Sequence, residues 1–293
     1  MFESLFRIRA IARNTLTEAL RQKVLNILLL FGVIAIVSGF LFANFTLAEQ
    51  FKFLKDFSIG AMSVFGLLIA LMGTAQLLPN EIENRTIYTI LAKPVRRSEF
   101  LIGKYCGMLA LLATTMLLMS IVFVGVILTK ERLMINAELR DAQGTNAEMQ
   151  AMANENIKQI HKEARDPRLI QAILLTYAKL AVVAGLALLI STFATSAIFT
   201  VATTFMVYII GHLESVARAA WLTGGSEVNF AAKIFLGVLS FLVPDMNIYN
   251  VIDEIIAGSA VPWSHTLNVL SYTGIFLLIL MSVAILIFNE REL

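Results

Sequence analysis

An all-α, polytopic membrane protein is the fold class this sequence predicts, and three observations predict it. The 293 residues are 58% hydrophobic and 15% charged, against about 45–50% and 25% in soluble domains. Mean hydropathy is +0.78. The apolar residues also fall in runs, several of them long enough for the roughly 20 helical residues that a bilayer core requires. A soluble chain of this size cannot bury so much apolar surface and still cover itself with polar groups. The composition equally excludes disorder, a disulfide scaffold and a coiled coil. A formal net charge of +2 leaves no nucleic-acid footprint. The single cysteine, Cys106, rules out an intrachain disulfide.

Six spans are read from the runs: Val24–Phe45, Ile59–Leu78, Tyr105–Thr129, Ala172–Phe193, Ala197–His212 and Leu267–Phe288. The fifth is short and abuts the fourth across Ser191, Thr192, Thr195 and Ser196, as a tight hairpin would. Six spans place both termini on one side, and Lys/Arg near the span ends choose the side. Residues 1–23 carry Arg7, Arg9, Arg13, Arg21 and Lys23, and the 79–104 loop carries Arg85, Lys93, Arg96, Arg97 and Lys104. Both are therefore expected in the cytoplasm, with the chain in the inner or plasma membrane.

Residues 1–23 precede an apolar run too long for a cleavable signal. At 100° per residue, Phe2, Leu5, Phe6, Ala12, Leu16, Ala19 and Leu20 share one face, and Glu3, Arg7, Asn14, Glu18 and Arg21 the other. Arg9 and Arg13 fall at the border, where long basic side chains snorkel to lipid headgroups. This reads as an amphipathic helix in the membrane interface; the plainer alternative is a helical cap on the first span. Residues 24–293 then form the six-span transmembrane domain.

Between the third and fourth spans, the 130–168 loop holds seven basic and seven acidic residues among helix formers, broken at Gly144. It reads as two extracytoplasmic helices that either dock a partner or act as a solvated spacer. Asp166–Pro167 resembles an N-cap followed by Pro at the first helical position. The 213–266 loop is partly apolar on either side of Pro244, with segments too short to span, so a re-entrant or interfacial pair is expected, either gating a path or plugging the bundle. Lys179 is the one charge well inside a span. It either snorkels outward or lines a substrate path, with Glu214, Asp253 or Glu254 as partners. His161, His212 and His265 lie at or outside span edges, and no metal-ligand cluster or paired intramembrane acid is visible.

Asn80–Lys104 is the most informative stretch, with eight charges between two spans. Residues 84–91 can form two helical turns presenting Ile87, Ile90 and Leu91 on one face. Pro94 stops that helix, and Ser98 with Glu99 can cap the next. Pattern alone reads either as a basic loop or as an apolar knob rimmed by charge, suited to a soluble motor. The series Glu81-x-Glu83-x-x-Thr86-Ile87, Leu91-x-x-Pro94-Val95-x-Arg97-x-Glu99 and Gly103-Lys104 resembles the coupling segment of type-2 ABC exporter permeases (ABC-2). The wider layout resembles that family across the whole chain, although the 39-residue 130–168 loop is longer than its usual one.

The resemblance implies a transport subunit, not an enzyme, acting as half of a permease with a second, identical or homologous chain. Two copies of a separate ABC ATPase would bind ATP and Mg. Their contacts would fall on Glu81, Glu83, Arg85, Thr86, Ile87, Tyr88, Ile90, Leu91, Pro94, Arg97 and Glu99. This chain would bind no cofactor of its own, since Gly103–Lys104 lacks the upstream glycine of a P-loop, position 98 being Ser. The alternative function is an ion-coupled secondary transporter or a scaffold without an ATPase; visible internal repeats and several intramembrane charges would favour it.

The topology is tested by labelling single cysteines in a Cys106→Ala background. Gly144→Cys should react with an impermeant maleimide on intact cells, and Ser4→Cys only after permeabilisation; the reverse pattern would invert the orientation.

Overall fold

The computed structural model describes residues 2–43, 50–79, 81, 95–143, 146–223, 237, 243–256, 259 and 261–291. Every regular element among them is helical. The elements are α1 (Phe2–Arg21), α2 (Lys23–Ala43), α3 (Gln50–Ala75), α4 (Arg97–Asp141), α5 (Ala147–Ala164), α6 (Leu169–Phe193), α7 (Ala197–Thr223), a 3₁₀ turn at Asn247–Tyr249, α8 (Ile252–Ile256) and α9 (Trp263–Glu290). Five helical stretches are long and apolar enough to cross a membrane, and α7 contributes a shorter apolar one, Ala197–Leu213.

Several boundaries move from the sequence expectation. α3 begins at Gln50 rather than Ile59, because Lys55 turns inward toward Asp166, at 4.0 Å, and is buried. α4 does not stop at Thr129. It continues to Asp141 because Lys130 and Glu131 are buried, Lys130 lying over the Phe40 ring. The last span begins at Trp263, not Leu267, after Pro262. At Asp166–Pro167 the expected contact forms, the Asp166 carboxylate accepting the Arg168 backbone N–H at 3.0 Å, but on a turn just ahead of α6, which starts at Leu169. Residues 224–236 and 238–242 of the expected re-entrant segment lie outside the described residues.

α6 is apolar on all sides and buried almost throughout, with α3, α4, α7 and α9 packed around it. By contrast α2 is equally apolar but buries only the stripe Leu25, Gly32, Ile36, Gly39 and Ala43, leaving Ile27, Leu30, Ile34 and Val37 about half exposed. A fully apolar helix with one open side suits lipid contact, since soluble surfaces do not carry such faces. Three residues, 194–196, link α6 to α7.

The bundle has two distinguishable ends. At one, Arg97 of α4 donates to the carbonyls of Phe288, Asn289 and Arg291 at 2.9–3.1 Å. There, too, Arg291 reaches the Thr192 carbonyl at the α6–α7 turn. α1 lies at this end, called proximal here, so the two described termini share it. At the distal end Arg168 donates to the Ser259 carbonyl at 2.6 Å. Here Glu131 of α4, 1% exposed, receives Arg165, just past the end of α5, at 2.9 Å and contacts His161 of α5, which pins α5 back against α4.

α1 does more than lie in an interface. It packs along the start of α4 through Ile8, Ile11, Thr15 and Ala19, where Gly103 and Gly107 clear the way. A Cβ at Gly107 would stand 2.7 Å from the Ala12 carbonyl oxygen and 2.6 Å from Thr15 Cβ. One at Gly103 would meet Ile11 Cβ at 2.8 Å. Glycines four apart let two helix backbones approach closely. The opposite face of α1 leaves Leu5, Phe6 and Leu20 exposed together with Arg9 and Arg13.

Gly107→Ala should therefore push α1 off α4, costing about 1–3 kcal/mol. This is read as a lower thermal midpoint in detergent and faster amide exchange in α1. Gly125→Ala, where an added Cβ meets nothing within 4 Å, should show neither effect.

Candidate functional site

The proximal end concentrates the charges that flank the 79–104 segment. Lys104, one helical turn into the apolar part of α4, is 2% exposed. Its ammonium pairs closely with Glu81 and, at 3.8 Å, with Glu18 of α1, while its position 5.7 Å over the Phe100 ring shields one side. Burial lifts the Glu81 carboxyl above the usual carboxylate range, and the Lys104 charge pulls against that lift. Neighbouring acids offset the desolvation cost of a buried ammonium, so Lys104 ties three segments together: α1, the chain at Glu81, and α4.

Glu99 makes a second tie. Its carboxylate accepts the Arg96 backbone N–H at 3.2 Å and faces Arg7 of α1 at 3.8 Å. The cap of α4 is thus built on Arg96 and Glu99 three residues later, not on Ser98, and it satisfies an N–H left open at the helix start. Arg97 points elsewhere. Its guanidinium closes the C-terminal carbonyls of α9, where a cation also meets the negative end of the helix dipole.

Between these ties lies a cleft of about 310 Å³ lined by Arg7, Asn14, Glu81, Val95, Phe100 and Lys104, among others. Residues 82–94 lie outside the described residues, and with them Glu83, Arg85, Thr86, Ile87, Tyr88, Ile90, Leu91 and Pro94. The two residues that flank that segment, Glu81 and Val95, both line the cleft. Of the residues expected to face a motor, the structure draws Glu81, Arg97 and Glu99 into internal contacts. Arg7 joins them, while Arg9 and Arg13 stay exposed on the far face of α1.

Lys104 and Glu18 escaped the sequence reading as a pair. The signal was present as a lysine opening an apolar run beside the Gly103-x-x-x-Gly107 spacing. Lys179 is the other charge at membrane depth. It is 8% exposed and donates to Ser63 Oγ of α3 at 2.8 Å. It therefore turns inward and does not snorkel. Of its expected partners Asp253 lies nearby but forms no ion pair with it among the described residues, and the Glu214 side chain lies outside them.

A family model described as ABC-2 family transporter protein matches residues 9–293. No curated protein matches the chain.

The Lys104 tie predicts a double-mutant cycle with strong coupling. Lys104→Met should cost about 3–5 kcal/mol by removing the ammonium that pairs with the half-buried Glu81. Adding Glu81→Gln should recover most of that loss in an unfolding titration, and additive losses would show that the pair does not carry the joint.

Proposed function

The chain belongs to the ABC-2 transporter family, and we propose that it is a permease subunit driven by a separate ATPase, working as an exporter in a complex of two permease chains and two ATPase chains. As a family member it is a multi-pass membrane transport component. The observation that carries the finer reading is the proximal joint. α1, the start of α4 and Glu81 are clamped together, and Glu81 and Val95 are the described residues on either side of residues 82–94. A soluble motor can move a membrane bundle only through an element held stiffly at its base.

In this reading the 84–91 helix sits in a groove of the ATPase. Ile87, Ile90 and Leu91 fill that groove with Tyr88 beside them, each large aliphatic contributing about 1.5–3 kcal/mol. Glu83 and Arg85 at the rim set register, since rim charges govern orientation more than affinity. Thr86 lies within the same turn, and Pro94 breaks the helix before α4. Glu81, Glu99 and Arg97 act from inside the bundle, as braces that pass force to α4 and α9. ATP and Mg bind to the ATPase, the proximal end faces the cytoplasm, and α5 faces out, where it is placed to meet an extracytoplasmic partner.

Co-purification with a Walker-A ATPase and two permease chains is the expected composition. Ile87→Asp should bury an unpaired charge at the joint, and either dissolve that complex or leave ATP hydrolysis running without transport. Gly144→Asp, at the opposite end, should change neither. Unchanged assembly and unchanged substrate-stimulated ATPase in Ile87→Asp would sink the coupling assignment.

A further inference from the structure

The distal half of the bundle encloses a polar cavity of about 260 Å³ between α3, α6, α7 and residues 249–253. Its innermost charge is Lys179, hydrogen-bonded to Ser63 Oγ at 2.8 Å. Tyr208 lines the same space, and His212 stands edge-on to the Tyr208 ring at 4.4 Å. This inner group is rich in donors. The rim carries the opposite sign: Asp56 and Asp253 both line the cavity, both are exposed, and they lie close enough to repel each other. None of these three charges is in an ion pair among the described residues. Asp253 receives only the Asn250 amide, at 3.3 Å.

The sign of charge therefore reverses along the cavity. Asp56 is two helical turns, about 10 Å, from Ser63 along α3. An ammonium at membrane depth without a carboxylate partner is costly, and two adjacent carboxylates repel. A single molecule relieves both if it carries an anion inward and a cation at the rim. Donor chemistry also selects the cation: a primary ammonium can hydrogen-bond both carboxylates, whereas a quaternary one cannot. The cavity is open beside Gly60 and Val64, both exposed on α3, and Val64 is 55% exposed. That opening lies on an apolar flank, so an acyl chain could remain outside while a polar head enters.

We propose that this cavity is a binding site for a zwitterionic head group, its phosphate held by Lys179 and Ser63 and its primary ammonium held between Asp56 and Asp253. The site rests on the cavity alone and holds whether or not an ATPase drives the chain.

The test uses the purified full chain in detergent without ATP, following the thermal midpoint against ligand concentration. Dihexanoyl phosphatidylethanolamine should raise the midpoint saturably. Dihexanoyl phosphatidylglycerol, with the phosphate but no ammonium, should bind at least about tenfold more weakly. Lys179→Met should weaken phosphatidylethanolamine binding about tenfold or more without lowering the unliganded midpoint, since it removes a buried charge. Asp56→Asn with Asp253→Asn should erase the preference over phosphatidylglycerol. Gly60→Leu should block both lipids, and since an added Cβ there meets nothing within 4 Å, the fold should tolerate it. Free O-phosphoethanolamine separates the sources. Binding as tight as that of the lipid assigns a soluble zwitterion, and much weaker binding assigns a membrane lipid; either outcome upholds the site. Equal affinity for the two lipids, or an unchanged dissociation constant in Lys179→Met, overturns it.

Discussion

α6 is the constraint on which the rest of the bundle depends. Away from its ends and the polar cavity beside Lys179 it is buried, so most of its neighbours must offer it an apolar or small surface, and Gly66 of α3 does so by leaving room for Leu180. In a bilayer such burial is not driven by escape from water, because lipid tails are as apolar as leucine side chains. Close packing and a few polar contacts between helices decide it instead. The Tyr105 hydroxyl donating to the Ala181 carbonyl at 2.9 Å is a contact of that kind. It locks α6 to α4, and the helices packed against α6 inherit their positions from it.

Charge is the second organising influence, and it divides the molecule by depth. At the proximal end Lys104, Glu81, Glu18, Arg7 and Glu99 neutralise one another at the base of the 82–94 segment. At the distal end Glu131 is neutralised by α5, while Lys179 and the two rim aspartates are not. Where charges are mutually satisfied the bundle is braced. Where they are not, the structure keeps a space, and a ligand of matching polarity has somewhere to go.

The spans were legible because membrane burial writes long apolar runs that few other constraints produce, and α2, α6 and α9 stand where hydropathy placed their cores. Helix ends were less legible. Hydropathy ends the third span near Thr129, but the backbone has no reason to stop there. Lys130 and Glu131 find partners on α2 and α5, and the residues that follow are good helix formers. On α1 the sequence periodicity marked the exposed apolar face correctly at Leu5, Phe6 and Leu20. It could not reveal that Ile11 and Thr15 form a second, packed face, because that face depends on two glycines more than eighty residues away. The Lys104 joint was illegible for the same reason. Its partners come from positions 18 and 81, and no local spacing announces a contact made by the fold. The 84–91 helix remains a reading from pattern and family resemblance.

The uninterrupted run of α4 has a mechanical consequence. Its 45 residues amount to about 68 Å at 1.5 Å per residue, more than twice the roughly 30 Å of a hydrocarbon core. One continuous rod thus has an arm on each side of the barrier and a fulcrum between them. Tilting it by about 5° about its midpoint would swing each tip by about 3 Å, in opposite directions. A small push at the Glu99 end would arrive at Glu131, about 18 Å beyond the midpoint, with its direction inverted and about half the tip's amplitude, and α5, pinned there, would move as a pointer. The lever also works in reverse: a load placed on α5 would lean on the base of the 82–94 segment, so whatever meets the distal tip gains a say in how readily the proximal one moves.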